Sequence, residues 1–325
     1  MTWSARNIFT WFVANLLIIG GFVRRAKKRA MKGEFILPVY FHNPTKKEFE
    51  GCVKWLKNNG FTFLSMADLN EIRQKNLPLP KGGVLLTLDD GWQSNESNVI
   101  EVANKYKVPV SIFVSSEPVE DGVYWWTYLE TAAKYNKGLP PKSLLKKASN
   151  VERISILQNI KNEITLPREA LTVDQVKKAS ESEYVTIGGH THTHPILINC
   201  KDDELYAELS LSKEKLEAWT GKNIHYFAYP NGDYGIREIN ALSELDYKLA
   251  FTCEPKYLTK SILNSNFELP RFGLLEGASL AENICRMLGV WKPLMLKFMY
   301  PKRRLSVDPQ TTTVSSRPKS EMMAL

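Results

Sequence analysis

The pattern of apolar and polar positions in the middle of the chain predicts short buried strands that alternate with amphipathic helices. Seven apolar runs rich in β-branched and aromatic residues predict strands over residues 35–41, 83–89, 108–115, 185–189, 225–229, 247–253 and 267–271. After the first run, Phe49, Cys52, Val53 and Leu56 recur with helical spacing, and Gly60 provides a stop signal. Similar spacing predicts helices near residues 95–106, 202–219 and 235–245.

This alternation predicts a parallel α/β domain over residues 34–296. Strands that regularly alternate with helices are typical of either an incomplete (β/α) barrel or an open sheet. Residues 126–182 form a longer and more helical stretch than one crossover connection needs. We therefore expect a helical insertion packed beside the barrel.

Residues 1–33 have a different pattern, in which an apolar run over residues 8–23 is followed by six basic residues. A helix of this length spans about 24 Å, less than the roughly 30 Å of bilayer hydrocarbon. Secretory signal peptides carry their basic residues before the apolar run, so this order is reversed. We expect a segment that associates with anionic membrane surfaces and keeps the domain of residues 34–296 on the cytoplasmic side. Export with an uncleaved N-terminal anchor, or a helix lying on the domain, are the alternatives.

The net charge of +8 comes from the two ends of the chain. Residues 1–33 contain seven Lys and Arg and no acid, and residues 297–325 contain six against two acids, which leaves residues 34–296 at −3. An acidic body excludes a basic groove for nucleic acid. Residues 297–325, rich in Ser, Thr, Pro and Lys, predict a disordered tail without chemistry.

The four cysteines lie far apart in the sequence and form neither a disulfide framework nor a thiolate metal motif. We expect them to be reduced and buried. The sequence carries no signal of the oligomeric state.

Reactive side chains occur where the predicted strands end. In a parallel barrel these ends meet on one face, so the following residues are expected to share one pocket: His42, Asp89, Asp90, His190, His194 and Arg271. Two imidazoles four residues apart, together with one carboxylate, form a frequent catalytic zinc set. Adjacent Asp side chains diverge, so one is expected to bind metal while the other acts as a base. His192 is expected to face solvent, and His225 to be an ordinary core or surface histidine.

Three separated motifs resemble those of the polysaccharide deacetylases, a family of metal-dependent carbohydrate esterases. They read TLDDG at residues 87–91, HTHTH at residues 190–194 followed by Pro195, and FAYPNG at residues 227–232. The resemblance covers residues 34–275 and implies a distorted seven-stranded (β/α) barrel. It also implies a divalent metal, expected to be zinc with cobalt as an alternative, held by Asp90, His190 and His194. Asp89 is then implied to be the general base.

Two positions depart from the usual family pattern. Many members take a catalytic acid from a late histidine, but no histidine follows His225 in this sequence. The segment VYFH at residues 39–42 resembles the first strand of the biofilm poly-N-acetylglucosamine deacetylases, which implies that His42 is the acid. The third motif also lacks the arginine that orients the base, and Arg271 resembles its substitute.

The resemblance implies hydrolysis of an N-acyl group, expected to be N-acetyl, from an amino sugar in a polysaccharide or glycoconjugate. The backbone N–H of Asn231 is the expected oxyanion donor. Aromatic residues that we expect to contact the sugar are Trp92, Trp125, Trp126 and Tyr229. Two alternatives are a membrane-associated deacetylase or deformylase of a lipid-linked sugar, and an inactive carbohydrate-binding barrel.

Overall fold

Eight parallel strands form one sheet in the computed structural model, which describes residues 4–135 and 138–291. The strands are β1 (Leu37–Phe41), β2 (Thr62–Leu64), β3 (Gly83–Leu88), β4 (Val110–Val114), β5 (Val185–Gly189), β6 (Tyr226–Ala228), β7 (Leu249–Phe251) and β8 (Phe272–Gly273). Their hydrogen-bonded order is β7-β6-β5-β4-β3-β1-β8, with β2 on β3. Leu37 pairs with Val84, and Phe41 pairs with Leu88, so β1 and β3 end at the same level.

The sheet curls until its two edges approach each other. Leu269 bridges Phe251 of β7, and a few residues later Phe272 and Gly273 pair with Val39 and Tyr40 of β1. This geometry confirms the distorted barrel. The interior is filled by a cluster of buried side chains that includes Ile36, Leu85, Phe113, Ala228, Leu249, Phe251, Leu258 and Leu269.

Eight helices cover the sheet in the described part of the chain, including the four predicted near residues 49–60, 95–106, 202–219 and 235–245. They are α3 (Lys46–Asn58), α4 (Met66–Gln74), α5 (Glu101–Tyr106, preceded by a π turn), α6 (Ser116–Asp121), α10 (Val173–Glu181), α11 (Asp202–Thr220), α12 (Ile236–Glu244) and α13 (Leu280–Met287). At the start of α3, the Thr45 hydroxyl accepts a bond from the Glu48 N–H, and the Glu48 carboxylate accepts one from Thr45.

The predicted insertion contains α7 (Trp125–Tyr135), α8 (Lys142–Leu145) and α9 (Asn150–Glu163). These helices share a separate small core that includes Val123, Trp125, Leu129, Leu145 and Leu157. The prediction extended the insertion to residue 182, but α10 packs against β5 and α11 as a barrel helix. The insertion therefore ends earlier than its helical composition indicated.

Two further differences concern short strands. β2 was missed because it has only three residues, of which the first is exposed. The last strand was placed at residues 267–271, whereas only Leu269 bridges β7 there and β8 begins at Phe272. Arg271 lies between these two pairings, at the point where the chain crosses from β7 to β1.

The N-terminal segment forms α1 (Ala5–Ile19) and α2 (Phe22–Ala30), which lie on the barrel domain. Ala14, Leu17, Val23 and Ala26 are buried in the main core. Within the described residues, no single helix is both long and apolar enough to cross a bilayer, but α1 and α2 meet that criterion as one pair bent by 61°. The predicted tail, residues 297–325, lies outside the described residues.

The burial of the cysteines agrees with the sequence prediction at three of the four positions. All four are unpaired, and Cys52, Cys200 and Cys285 are buried while Cys253 is half-buried.

Candidate active site

The turn after β3 points two adjacent carboxylates in different directions. Asp89 continues the strand and donates its N–H to the Phe41 carbonyl, whereas Asp90 and Gly91 take positive φ angles of 75° and 88°. Asp tolerates this left-handed conformation, and Gly adopts it without steric cost. The backbone reversal separates the two carboxylates, and each acquires its own partners.

Asp89 forms a buried bidentate ion pair with Arg271. The guanidinium donates from Nη1 to Asp89 Oδ1 at 2.7 Å and from Nη2 to Oδ2 at 2.8 Å, and both residues are almost fully buried. Further bonds to Thr87 Oγ1 at 3.0 Å and the Thr252 carbonyl at 3.2 Å fix the guanidinium in place. Burial alone would raise the pKa of Asp89, but Arg271 and His190 bring that pKa below its usual value.

Asp90, His190 and His194 bring three ligand atoms together, all within 4.8 Å of one another. Asp90 Oδ1 lies 3.5 Å from His190 Nε2 and 3.2 Å from His194 Nε2. His190 Nδ1 lies 2.7 Å from the Ala228 carbonyl, which requires a proton on Nδ1 and leaves the Nε2 lone pair directed at the site. Burial lowers the pKa of His194 to about 4, which favours a neutral imidazole. Acceptor atoms that converge in this way fit a divalent cation.

A buried network holds the loop between the two histidines. Glu208 of α11 accepts bonds from the N–H groups of His192 and Thr193, at 2.9 and 2.7 Å, and from the Thr193 hydroxyl. Arg153 of the insertion donates to the Thr193 carbonyl at 3.1 Å and to the same hydroxyl. Sequence reasoning missed Glu208 and Arg153, because nothing in their local sequence indicates that they meet at this loop.

Strained backbone also concentrates at the site. Four of the seven non-glycine residues with positive φ in the described part of the chain are Asp90, Thr191, His194 and Asn231. For the β-branched Thr191 such a conformation is costly, so the surrounding bonds must hold it. The Thr191 carbonyl accepts the Ser116 N–H at 3.2 Å, and the neighbouring His190 carbonyl accepts the Ser115 hydroxyl at 2.7 Å.

His42 follows β1 at the same edge of the sheet and is half-buried. Its carbonyl accepts a bond from Asn95 Nδ2 at 3.2 Å, and its ring contacts Tyr40 edge-on at 5.5 Å between centroids. The ring is close enough to lower the pKa of both Asp89 and Asp90. Because Phe41 pairs with Leu88, His42 and Asp89 follow neighbouring strands at the same level.

Asn231 lies in the turn after β6, and its side chain is engaged. Its Oδ1 accepts a bond from Lys146 Nζ at 3.0 Å, while its Nδ2 donates to Asp233. Lys146 comes from the insertion, and its pKa is lowered by burial and by Lys142, while Asp233 and Asp90 oppose the shift. Lys146 is a further polar group at the site, and no local sequence pattern predicted it.

The predicted aromatic contacts fall into different groups. Trp92 is half-buried and donates to Asp90 Oδ2 at 2.9 Å, and half-buried Trp126 packs edge-on against His194 at 4.8 Å. Trp125 is buried and donates to the His194 carbonyl at 3.0 Å, so it supports a ligand instead of facing a sugar. Tyr229 is also fully buried, beside Phe227 and Tyr234 in the core beneath the helices, which places its ring away from the pocket.

The two other histidines differ in position. His192 was expected to face solvent, but it is half-buried and its Nδ1 lies 2.8 Å from the Ser116 hydroxyl. The bonds of the His190–His194 loop to α6 explain this difference. His225 is a partly exposed residue 4.0 Å from Asp246, as expected for an ordinary surface histidine.

Comparisons with known proteins agree with the motifs. A family profile described as Polysaccharide deacetylase matches residues 76–250, more than half of the chain. Poly-beta-1,6-N-acetyl-D-glucosamine N-deacetylase of Escherichia coli (strain K12) is 24% identical over 255 residues, which cover 70% of this chain and 33% of the relative. The chain spans between 33% and 58% of the length of the curated relatives it matches.

Solved structures show the same fold. The Streptococcus pyogenes deacetylase PplD, in complex with acetate, superposes with a TM-score of 0.59 at 19% identity, covering 78% of this chain and 98% of that one. IcaB from Ammonifex degensii superposes with a TM-score of 0.56 at 17% identity, covering 77% and 96%. At these identities the likeness establishes the fold.

Proposed function

Because the chain belongs to the polysaccharide deacetylase family, we propose that it hydrolyses an N-acyl group, expected to be N-acetyl, from an amino sugar. The observation that carries the proposal is the division of the site into an Asp89–Arg271 pair and a convergent Asp90, His190 and His194 set. Amide hydrolysis needs a base beside an electrophilic centre, and this arrangement supplies both within one buried turn.

The metal would be held by Asp90 Oδ1 and by Nε2 of His190 and His194. A divalent ion bound there supplies Lewis-acid polarisation of the amide oxygen and a coordinated water of lowered pKa. We propose zinc, because a carboxylate and two neutral imidazoles form a common zinc set with positions left for water and substrate. Trp92 supports this role, since its bond to Oδ2 leaves Oδ1 of the carboxylate directed at the imidazoles.

Asp89 is the proposed general base. The bidentate contact with Arg271 keeps this buried carboxylate ionised and fixes its orientation. Its task is to accept a proton from the attacking water as the carbon–oxygen bond forms. Arg271 acts through Asp89 and is therefore a positioning residue.

His42 is the proposed general acid for the departing amine. An amine is a poor leaving group unless it is protonated as the carbon–nitrogen bond breaks. His42 supports this role by its place at the end of β1, where its ring acts on both carboxylates. The Asn231 N–H remains the proposed oxyanion donor, and Trp92 and Trp126 the proposed sugar contacts.

We propose an N-acetylated amino sugar as the substrate. The Escherichia coli relative is named for N-acetylated glucosamine polymer, which supports an N-acetyl amino sugar. A lipid-linked acylated sugar is a second candidate, favoured by the exposed apolar side of α1. An inactive carbohydrate-binding barrel is disfavoured, because such a module has no need for the complete ion pair and ligand set.

The test is release of acetate or formate from a panel of soluble N-acylated saccharides and lipid-linked sugars, with metal content measured on the same protein. Asp89→Asn is the matched inactive control, and Asp174→Asn, a substitution of an acid in the first turn of α10, is the neutral one. We expect release by the wild type and by Asp174→Asn only. Metal-replete protein that releases no acyl group from any member of the panel would contradict the proposed activity.

A further inference from the structure

Helix α1 is apolar on two opposite sides. Thr10, Ala14 and Leu17 are buried against the domain. About half a turn around the helix, five large side chains are between 53% and 82% exposed: Ile8, Phe9, Phe12, Leu16 and Ile19. We call these five residues the apolar face of α1. A helix that is apolar all round is normally covered on every side, and none of the described residues covers this face.

The packed side of α1 is fixed firmly to the domain. Arg6 forms a 2.7 Å ion pair with Glu282 of α13, whose carboxylate is fully buried. Asn7 Nδ2 donates to the Gly277 carbonyl at 3.1 Å, and the Cys285 thiol contacts the Ala14 carbonyl. The apolar face is therefore a rigid part of the domain surface.

The next helix adds positive charge. The buried residues of α2 are Val23, Ala26 and Ala30, and this spacing leaves Arg24, Arg25 and Lys28 exposed. Residues 1–33 contain no acid, so nothing in this segment offsets these cations. Large apolar side chains followed by exposed cations complement a bilayer with anionic headgroups.

The position of α1 relates this surface to the active site. Its first turn contacts Gly277, in the same turn where the Glu276 carboxylate accepts the N–H of Asn43, the residue after His42. At the other end, the Ala30 carbonyl of α2 accepts the N–H of Gly82, just before β3 begins. The helices α1 and α2 thus extend from the carboxyl ends of the strands, where the site lies, to their amino ends.

We propose that the apolar face of α1 docks the folded domain on an anionic bilayer, with the cations of α2 on the headgroups and the mouth of the site at the level of the membrane surface. The bilayer is favoured over a second copy of the chain because the exposed cations of α2 would repel their equivalents in a symmetric pair. Resting on the proposed function, this orientation selects an acylated sugar carried close to the membrane, such as a lipid-linked saccharide.

The direct test is co-sedimentation of the full chain with vesicles of phosphatidylcholine, with and without phosphatidylglycerol. Phe12→Glu/Leu16→Glu changes the apolar face, and Val151→Glu/Tyr206→Glu changes two exposed apolar residues elsewhere by the same charge. We expect the first variant to lose at least about tenfold in partitioning to anionic vesicles and the control to lose little. Arg24→Gln/Arg25→Gln/Lys28→Gln should weaken binding to anionic vesicles and leave neutral ones unaffected.

Binding is measured with a chelator present, so it does not depend on metal or turnover. Equal vesicle binding by both double Glu variants would overturn the docking. A wild-type dimer that does not bind vesicles, and that Phe12→Glu/Leu16→Glu converts to monomer, would also overturn it. Activity gives a separate result: that variant should lose about tenfold in kcat/KM on a vesicle-embedded acylated sugar and keep its rate on a soluble saccharide. Loss of both rates in a folded variant would overturn the membrane role, whereas failure of wild type on every substrate would count against the proposed function alone.

Discussion

Asp89 and Asp90 are adjacent, nearly fully buried and carried by the same turn, yet they lie in opposite electrostatic surroundings. Asp89 faces a guanidinium that belongs to the chain and makes two hydrogen bonds with it. Asp90 faces two imidazoles and an indole N–H, and neither imidazole carries a fixed charge. Arg271 balances the charge of Asp89, whereas we propose that a bound cation balances the charge of Asp90.

The difference matches the two functions that we propose for this turn. The proposed base, Asp89, must keep its negative charge in one orientation without binding the metal, and the ion pair with Arg271 meets this requirement. The proposed metal site must keep its acceptors close together although they repel one another, and the strained His190–His194 loop is held for this by its bonds to Glu208 and Arg153. The positive φ of Asp90 turns the backbone so that the Asp89 and Asp90 carboxylates face different groups.

Neutralising each carboxylate in turn is expected to have the largest effect and tests directly whether the two residues have different roles. Asp89→Asn should keep its metal and lose about 10²–10⁴-fold in turnover, the range of a general base. Asp90→Asn should lose metal as well as turnover. Thermal unfolding supplies a readout besides activity, because saturating zinc should raise Tm in wild type and Asp89→Asn but not in Asp90→Asn. Equal metal loss in both variants would show that the two roles are assigned wrongly.

Substituting Arg271 tests how much the ion pair with buried Asp89 contributes to the stability of the fold. Arg271→Met leaves a buried carboxylate uncompensated and should lower the free energy of unfolding by about 3–5 kcal/mol. Arg271→Lys retains a charge but loses the bidentate geometry, so it should unfold at a denaturant concentration between those of wild type and Arg271→Met. Urea unfolding measures both. A double-mutant cycle with Asp89→Asn that shows no coupling would contradict the pair as the cause.

His42 follows β1, the strand next to the one that carries both carboxylates, and its proposed role can be tested separately from theirs. His42→Ala should retain metal and slow amide hydrolysis by about 10²-fold. An activated aryl acetate has a leaving group that needs no proton, so its hydrolysis should slow far less. The test is to measure the rates of His42→Ala on both substrates. His225→Ala, which changes a histidine outside the site, is the control. Equal slowing of amide and ester would assign His42 to binding or structure.

Much of this arrangement followed from the sequence, for a physical reason. Motif residues at the ends of parallel strands are brought together by the barrel, so residues as distant as His42 and Arg271 were expected in one pocket. The direction of a side chain at a crowded strand end was harder to predict. Tyr229 was expected to contact the sugar, but strand alternation places Ala228 inside the barrel and Tyr229 in the outer core. Glu208, Arg153 and Lys146 were missed because only tertiary packing brings them to the site.

The smallest expected effect concerns Glu208, which holds the metal-ligand loop without contacting the ligands' reactive atoms. Its carboxylate accepts two backbone N–H groups and one hydroxyl, so Glu208→Gln would place an amide NH₂ near groups that are themselves donors. The loop should shift slightly, and metal affinity should fall by about tenfold, the lower end for supporting residues of metal sites. Competition with a chelator measures the dissociation constant, and Glu214→Gln, on an exposed position of the same helix, is the control. Unchanged metal affinity in Glu208→Gln would mean that the strained turns at Thr191 and His194 hold the loop without Glu208. The backbone alone would then position the ligands around Asp90, as Arg271 positions Asp89.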